Sequence, residues 1–193
     1  MRAARRRAHD AYGAAAAEAA SDRFLHAFDP SPTMIVAGYW PVGGEIDPRP
    51  LLTELIALGA SCALPVTTAR DAPLRFRRWT PETVLVADAL GVLAPPTTAA
   101  EIDPDLFLLP LLAFDRLGRR LGQGAGCYDR TLTDLRARSR PALAVGLAFS
   151  VQEMALVPAE AHDQPLDWVV TDRFALRLPG QPGRRRRDLF RPR

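Results

Sequence analysis

"DLFLLPLLAFDRLGRRLGQGAGCYDRTL", residues 105–132, is the stretch on which the fold turns. Its first part, "DLFLLPLLAFD" (105–115), is the most apolar run in the chain. A run of this kind reads as a central strand buried on both faces, interrupted near Pro110, whose missing N–H weakens a ladder. The second part is polar. Gly122, Gly124 and Gly126 alternate with Gln123 and Ala125, and the run closes on Cys127-Tyr128-Asp129-Arg130. Beyond it, "DRTLTDLRARS" (129–139) sets Leu132 and Leu135 three apart on a polar segment, a helical pattern. A buried strand, a glycine-rich turn and a helix in that order form the repeating unit of an α/β domain.

Outward from this stretch the same alternation continues. Toward the C-terminus, "ALAVGLAF" (142–149) reads as a second buried strand, "VQEMAL" as a short helical turn, 158–167 as a loop and "WVVTD" (168–172) as a last strand. Toward the N-terminus, Ala14–Phe28 reads as a helix stopped by the prolines of "DPSP" (29–32). "MIVAGYW" (34–40), "SCALPVT" (61–67) and "LRFRRW" (74–79) read as strands, the last half-exposed. "LLTELIAL" (51–58) reads as a helix ending at Gly59. Residues 41–50 and 80–104 are read as loops. The pattern implies α/β class with a mainly parallel sheet and no internal repeat. Ligands in such sheets sit at the carboxyl ends of strands, here the loops at 41–50, 115–128 and 150–167.

Composition excludes several classes. The chain has 193 residues, 48% hydrophobic and 24% charged, which suits a single soluble domain. No apolar run reaches the roughly 18–20 residues of a membrane span. The basic, Ala-rich N-terminus carries acids and lacks a strongly apolar core, so it reads as a surface helix rather than an export signal. Two cysteines, Cys62 and Cys127, make neither a disulfide framework nor a zinc pattern, and read as reduced thiols. There is no lysine, and all 25 basic residues are arginine. Six of them lie in "RRRRDLFRPR" (184–193) beside one acid, so that tail carries +5 and the rest, out of a total of +3, carries −2. The body is therefore not a nucleic-acid-binding module. We expect residues 1–179 to form one domain and 180–193 a disordered Arg-rich tail.

The glycine run has two readings. Glycines adopt backbone angles other residues avoid and admit close approach to the main chain. Successive N–H groups beside a helix start can cradle an anion, with Arg119, Arg120 and Arg130 nearby. The spacing fits neither the P-loop nor the dinucleotide fingerprint, and a tight strand-to-helix turn accounts for the same residues. Asp129 in a helix's first turn is favourable in itself. Beside a phosphate it needs an intervening cation such as Mg²⁺, which takes one or two carboxylates along with phosphate oxygens. His162 and Asp163 supply candidate partners, or simply stabilise their loop. Glu45 could orient a polar substrate with Tyr39 or Trp40 stacked on a flat ring, or be a surface acid. Cys127 as a nucleophile would want a paired histidine, and the chain has three: His9, His26 and His162.

"LLPLLAFDRLGRRLGQGAGCYDRTL" resembles the signature of the 5-formyltetrahydrofolate cyclo-ligase family, roughly V-P-x-x-A-F-D-x-x-G-x-R-L-G-x-G-x-G-Y-Y-D-R. "GYWPVGGEIDPRPLL", "ALPV", "LRFRRW", "AVGLAF" and "VPAEAHDQPLDWVVTD" follow the family's order, so the resemblance covers about residues 34–172. It implies a three-layer α/β/α domain akin to sugar-phosphate isomerase and CoA-transferase folds. It implies ATP-dependent closure of 5-formyltetrahydrofolate to 5,10-methenyltetrahydrofolate, with ADP and phosphate released. By position, Arg120, Leu121, Gly122, Gln123, Gly124, Ala125, Gly126, Cys127 and Tyr128 fall on the family's ATP loop, with Arg120 and Asp129 catalytic. Asp129 and Asp163 fall on its magnesium positions, and Trp40, Glu45 and Cys127 on its folate contacts. The resemblance further implies a cytoplasmic monomer whose partners are a reduced folate, ATP and Mg²⁺, with no membrane or nucleic acid. Three departures stand out. Cys127 replaces a tyrosine, Ala125 a glycine or lysine, and the family's N-terminal Lys-x-x-x-Arg helix has no lysine here, leaving Arg2, Arg5 or Arg6 as substitutes. They raise the alternative of a family member that binds folate or nucleotide without turnover.

Overall fold

A computed structural model describes residues 1–69, 71–137 and 143–179. The elements in chain order are α1 (Arg2–Ala27), β1 (Ile35–Ala37), α2 (Arg49–Ala57), β2 (Ser61–Val66), β3 (Arg75–Trp79), β4 (Val86–Ala87), β5 (Leu93–Ala94), β6 (Leu106–Pro110), β7 (Ala113–Phe114), β8 (Arg120–Leu121), α3 (Cys127–Ala137), β9 (Leu143–Ala148), a 3-10 turn (Ser150–Gln152), β10 (Trp168–Thr171) and β11 (Ala175–Arg177).

Seven strands form one sheet in the order β11-β10-β9-β6-β1-β2-β3. The five inner strands, β10 to β2, pair in parallel, while β3 and β11 close the two edges antiparallel. The run 105–115 supplies the middle strand β6, and its Leu106, Phe107, Leu108 and Leu109 are all fully buried. One core lies on the face covered by α1 and α2, where Phe24, Leu51, Leu52 and Leu55 meet Val36, Leu64, Leu108 and Val145. The second lies on the opposite face, where Leu132 of α3 meets Phe107, Leu109 and Val169. Helices on both faces of a mostly parallel sheet make three layers.

The boundaries follow local chemistry. Asp29-Pro30 stops α1, and Phe28 N donates to Phe24 O at 2.8 Å in its last turn. Gly59 ends α2 with φ +94°, and Ala60 N donates to Leu55 O. Helix and sheet approach closely at Gly38, where a Cβ would stand 2.4 Å from Leu52 Cδ1. Several expectations need correction. The expected N-terminal surface helix and the Ala14–Phe28 helix are one element, α1, running from Arg2 with a kink at Tyr12 (φ −152°, ψ 26°). Helix α3 begins at Cys127, two residues early. Residues 168–172 do not hold the last strand, because β11 folds back on β10. The segment 80–104 carries the hairpin β4–β5. Short, half-exposed strands of two or three residues show no period that a sequence reading can detect. The expected tail, 180–193, lies outside the described residues.

Candidate active site

Strand order reverses between β1 and β6. From β1 the chain moves to β2 on one side, and later enters β6 on the other. Loops leaving β1 and β6 at their carboxyl ends therefore diverge and open a crevice, the usual ligand position in such sheets. A cavity of about 640 Å³ occupies it. Every site residue assigned from the resemblance lines this cavity: Trp40 and Glu45 from the β1 loop, residues 120–129 from the β6 side, and Asp163 from the loop after β9.

The β1 loop is built around Glu45. Tyr39 is buried and its hydroxyl donates to Ile46 O at 2.6 Å, fixing the far end of the loop. Gly43 and Gly44 take φ +61° and +78°, which lets the chain turn back so that Val42 N donates to Glu45 Oε2 at 2.9 Å. Glu45 is only 5% exposed. Burial raises its carboxyl above the ordinary range, opposed by donors from Val42, Gln123 and Arg5. The loop packs against the first turns of α1. There Arg5 is also buried, 3.6 Å from Glu45 Oε1, and donates to Gly43 O and Leu111 O. Of the arginines considered for the family's N-terminal cation, Arg5 is thus the one at the site, while Arg2 and Arg6 are exposed.

The β6 side is shaped by Asp115, which is fully buried. Its Oδ1 accepts from Leu117 N and Arg119 N, and its Oδ2 accepts from Val157 N. This closes the 115–119 turn between β7 and β8 and ties it to the segment before His162. Gly118 (φ +87°) lets that turn abut Leu166 O. The ribbon β7–β8 then delivers Gly122–Ala125 as an exposed loop. The left-handed angles fall on Gly124 (φ +97°) and Gly126 (φ +63°), on either side of Ala125. Gln123 reaches from this loop to Glu45, its Nε2 donating to Oε1 at 3.2 Å.

Asp129 and Arg120 form the charged centre. Arg120 Nη2 stands 2.6 Å from Asp129 Oδ1, which also accepts Gln164 N at 2.9 Å, and Arg120 donates to Gln164 O. Asp163 accepts Glu160 N at 2.8 Å, and His162 Nε2 lies 3.8 Å from it. Tyr128, half-buried, packs into the second core, and burial, Glu45 and Cys127 push its hydroxyl far above the ordinary range. Cys127 is partly exposed and makes no disulfide; Arg130 Nη2 approaches its sulfur at 3.6 Å. Among the described residues no cluster of three His, Cys, Asp or Glu could hold a metal unaided. Five carboxylates line the cavity (Glu45, Asp88, Asp129, Glu160 and Asp163) against Arg120 and His162.

Sequence reasoning passed over Asp115, Asp88 and Gln152. Asp88 accepts Thr67 N, Leu90 N and Val92 N, so it fixes the β4–β5 tip that forms the cavity's apolar wall. Gln152 is buried and donates to Leu111 O at 2.6 Å. Asp115 sits inside the Ala-Phe-Asp motif, which was a signal; the other two gave none.

A mostly parallel α/β domain with a glycine loop, a charged pair and a buried acid gathered around a cavity at its switch point has the build of an α/β enzyme. The sequence pattern of the 5-formyltetrahydrofolate cyclo-ligase family matches residues 1–172, and this chain belongs to that family. It is 37% identical over 143 residues to a 5-formyltetrahydrofolate cyclo-ligase of Mycolicibacterium smegmatis, covering 70% of this chain and 72% of the relative. The Escherichia coli K12 enzyme of the same name is 36% identical over 142 residues, covering 70% and 76%. Among solved structures, a 5,10-methenyltetrahydrofolate synthetase of Aquifex aeolicus aligns with TM-score 0.68 and 29% identity over 95% of this chain and 87% of that one. One from Mycoplasma pneumoniae aligns with TM-score 0.66 over 89% and 98%, and at 21% identity speaks for the fold. No described helix is long and apolar enough to cross a membrane.

Proposed function

We propose that this chain closes the ring of 5-formyltetrahydrofolate to 5,10-methenyltetrahydrofolate at the β1/β6 crevice, with ATP converted to ADP and phosphate. The observation that carries the residue assignments is their convergence: positions spread from 40 to 163 line one cavity. In the reaction the formyl oxygen attacks the γ-phosphorus and ADP leaves. N10 then attacks the activated carbon, loses its proton, and the formyl oxygen departs with phosphate. The chain mainly positions the partners and balances charge, as phosphoryl transfer requires.

On this reading ionised Glu45, with Arg5 as its counter-ion, accepts the paired N–H donors of the pterin, and Trp40 flanks the ring. The N–H groups of Gly122–Gly126, on a loop exposed through Ala125, receive phosphate oxygens. Arg120 faces the transferring group, oriented by Asp129 and Gln164 O. A wall richer in carboxylates than in cations would repel ATP, which supports a bound divalent ion. Asp129 and Asp163 suit Mg²⁺, which needs only one or two protein carboxylates when phosphates supply the rest. When bound, the ion neutralises charge between the phosphates and these two acids.

Mixing protein, 5-formyltetrahydrofolate, ATP and Mg²⁺ should produce the absorbance of the methenyl product, with one phosphate released per ring closed. A folded, folate-binding protein that yields no product would establish the alternative, a binder without turnover. The family departures at Cys127 and Ala125 motivate that second reading.

A further inference from the structure

We propose that Gln123 is a latch between the nucleotide loop and the folate acid: its amide competes with the folate for Glu45 and yields when the loop seats a phosphate. The inference rests on the assignment of Glu45 to the folate and of the glycine loop to ATP.

The argument is one of lone pairs. A carboxylate has about four acceptor sites, two on each oxygen. Glu45 Oε2 accepts Val42 N, which leaves one site there. Oε1 faces both Gln123 Nε2 and the Arg5 guanidinium. A pterin presents two parallel N–H donors and requires one site on each oxygen at once. Arg5 Nη1, 3.6 Å from Oε1, is an ion-pair neighbour that lies outside the cavity lining, anchored on Gly43 O and Leu111 O, whereas Gln123 lines the cavity beside Glu45. A pterin entering from the cavity therefore meets the Gln123 amide on Oε1, and that amide must withdraw; Arg5 cannot. Gln123 can, because its amide is neutral and its backbone lies in an exposed segment between Gly122 and Gly124. Tyr39 and Tyr128 also feel the Glu45 charge, and Asp47 lies near Tyr39. Tyr39 is engaged with Ile46 O and Asp47 with Arg49, so neither can replace the latch.

A direction follows. Folate alone must break the Gln123–Glu45 bond. A nucleotide that draws the loop onto its phosphates breaks it first, so folate then binds tighter, and by linkage the nucleotide binds tighter to the folate complex.

Calorimetric titration of the full chain with 5-formyltetrahydrofolate, with and without the β,γ-imido analogue of ATP and Mg²⁺, tests this. In the parent protein the analogue should tighten folate by about fivefold or more. Gln123→Ala and Gln123→Met should bind folate alone about threefold tighter than the parent, and the analogue should add less than about twofold, since a hydrogen bond of ordinary net strength has been removed. A merely structural role would weaken folate binding instead. Variants that bind folate alone no tighter than the parent, or that keep the full nucleotide effect, overturn the latch. So does Gln123→Met behaving as the parent, since it keeps length without the N–H. A parent protein that forms product yet shows no nucleotide effect overturns the latch and leaves ring closure standing. A parent protein that forms no product overturns the functional reading beneath it.

Discussion

At the residue scale, buried charge decides most. Arg5 and Glu45 are both buried and stand 3.6 Å apart, and breaking such a pair costs about 3–5 kcal/mol. Arg5→Met is therefore expected to lower stability by that order in a denaturant titration, and to weaken folate binding, because Glu45 loses its counter-ion. Glu45 itself carries a pH signature. Burial raises its carboxyl above the ordinary range, and only its ionised form accepts two N–H donors. The acid limb of kcat/KM should then lie above the usual carboxylate range, activity rising with pH as Glu45 ionises. Glu45→Gln should abolish that limb and lower kcat/KM by about ten- to a hundredfold, the worth of a hydrogen bond to a charge. Asp129→Asn keeps the shape but removes the charge facing Arg120. It should lose turnover in the product assay while keeping the parent's circular-dichroism spectrum, with a lowered melt because the largely buried Arg120 loses its counter-ion.

At the element scale, two joints hold the cavity's walls. The first is the contact of β1 with α2. Gly38→Ala would drive a methyl into Leu52, and overpacking of this kind costs about 1–3 kcal/mol, readable as a fall in denaturation midpoint. The second is the β4–β5 tip, bound by Asp88. Burial works to raise this carboxyl, but the N–H groups of Thr67, Leu90 and Val92 outweigh it and hold it below its ordinary value. For such a group the stabilisation is complete above the unfolded pKa, about 3.9, and is lost as pH falls through the lower folded value. The protection factors of the Leu90 and Val92 amides, taken against the intrinsic rate at each pH, should fall through that acid window, and Asp88→Ala should lower them at neutral pH. A variant with unchanged exchange would remove Asp88 from this role.

At the scale of the whole molecule, the two cysteines report on the two environments. Cys62 lies in the core, where burial pushes its thiol to about 12, whereas Cys127 opens on the cavity. Thiolate supply and access both govern thiol chemistry. A thiol reagent at pH 8 should modify one cysteine in the folded protein, Cys127, and ATP should slow it. We further propose that residues 1–179 suffice for ring closure, so removal of 180–193 should leave turnover unchanged.

How much of this was legible beforehand differs by feature. The run 105–115 announced a central strand because burial on both faces demands an unbroken apolar sequence. That the glycine loop, Asp129, Asp163 and Glu45 line one cavity was readable from a family pattern, whereas their roles toward phosphate, metal and folate are proposals. Arg5 stood among three arginines of one helix that sequence could not separate; only the packing of α1 on the β1 loop picks it out. The edge strand β11 and the hairpin β4–β5 were missed because two or three residues carry no period. The start of α3 was placed two residues late, because its glycine-rich approach gives no cap signal. Asp115 lay inside the Ala-Phe-Asp motif, but its burial and its bond from Val157 N, like the bond from Thr67 N to Asp88, leave no local trace.

By itself the sequence determined the class of the fold and the chemistry available to it. Periodicity fixes which segments are strands and helices, and a motif fixes which residues can face a phosphate. Tertiary structure alone decided who partners whom. The reversal of strand order between β1 and β6 brings Glu45 within reach of Gln123, 78 positions away in sequence, and sets Arg5 behind it. Those bonds depend on distances of a few ångströms between segments far apart in the chain, and such distances come into being only when the layers pack.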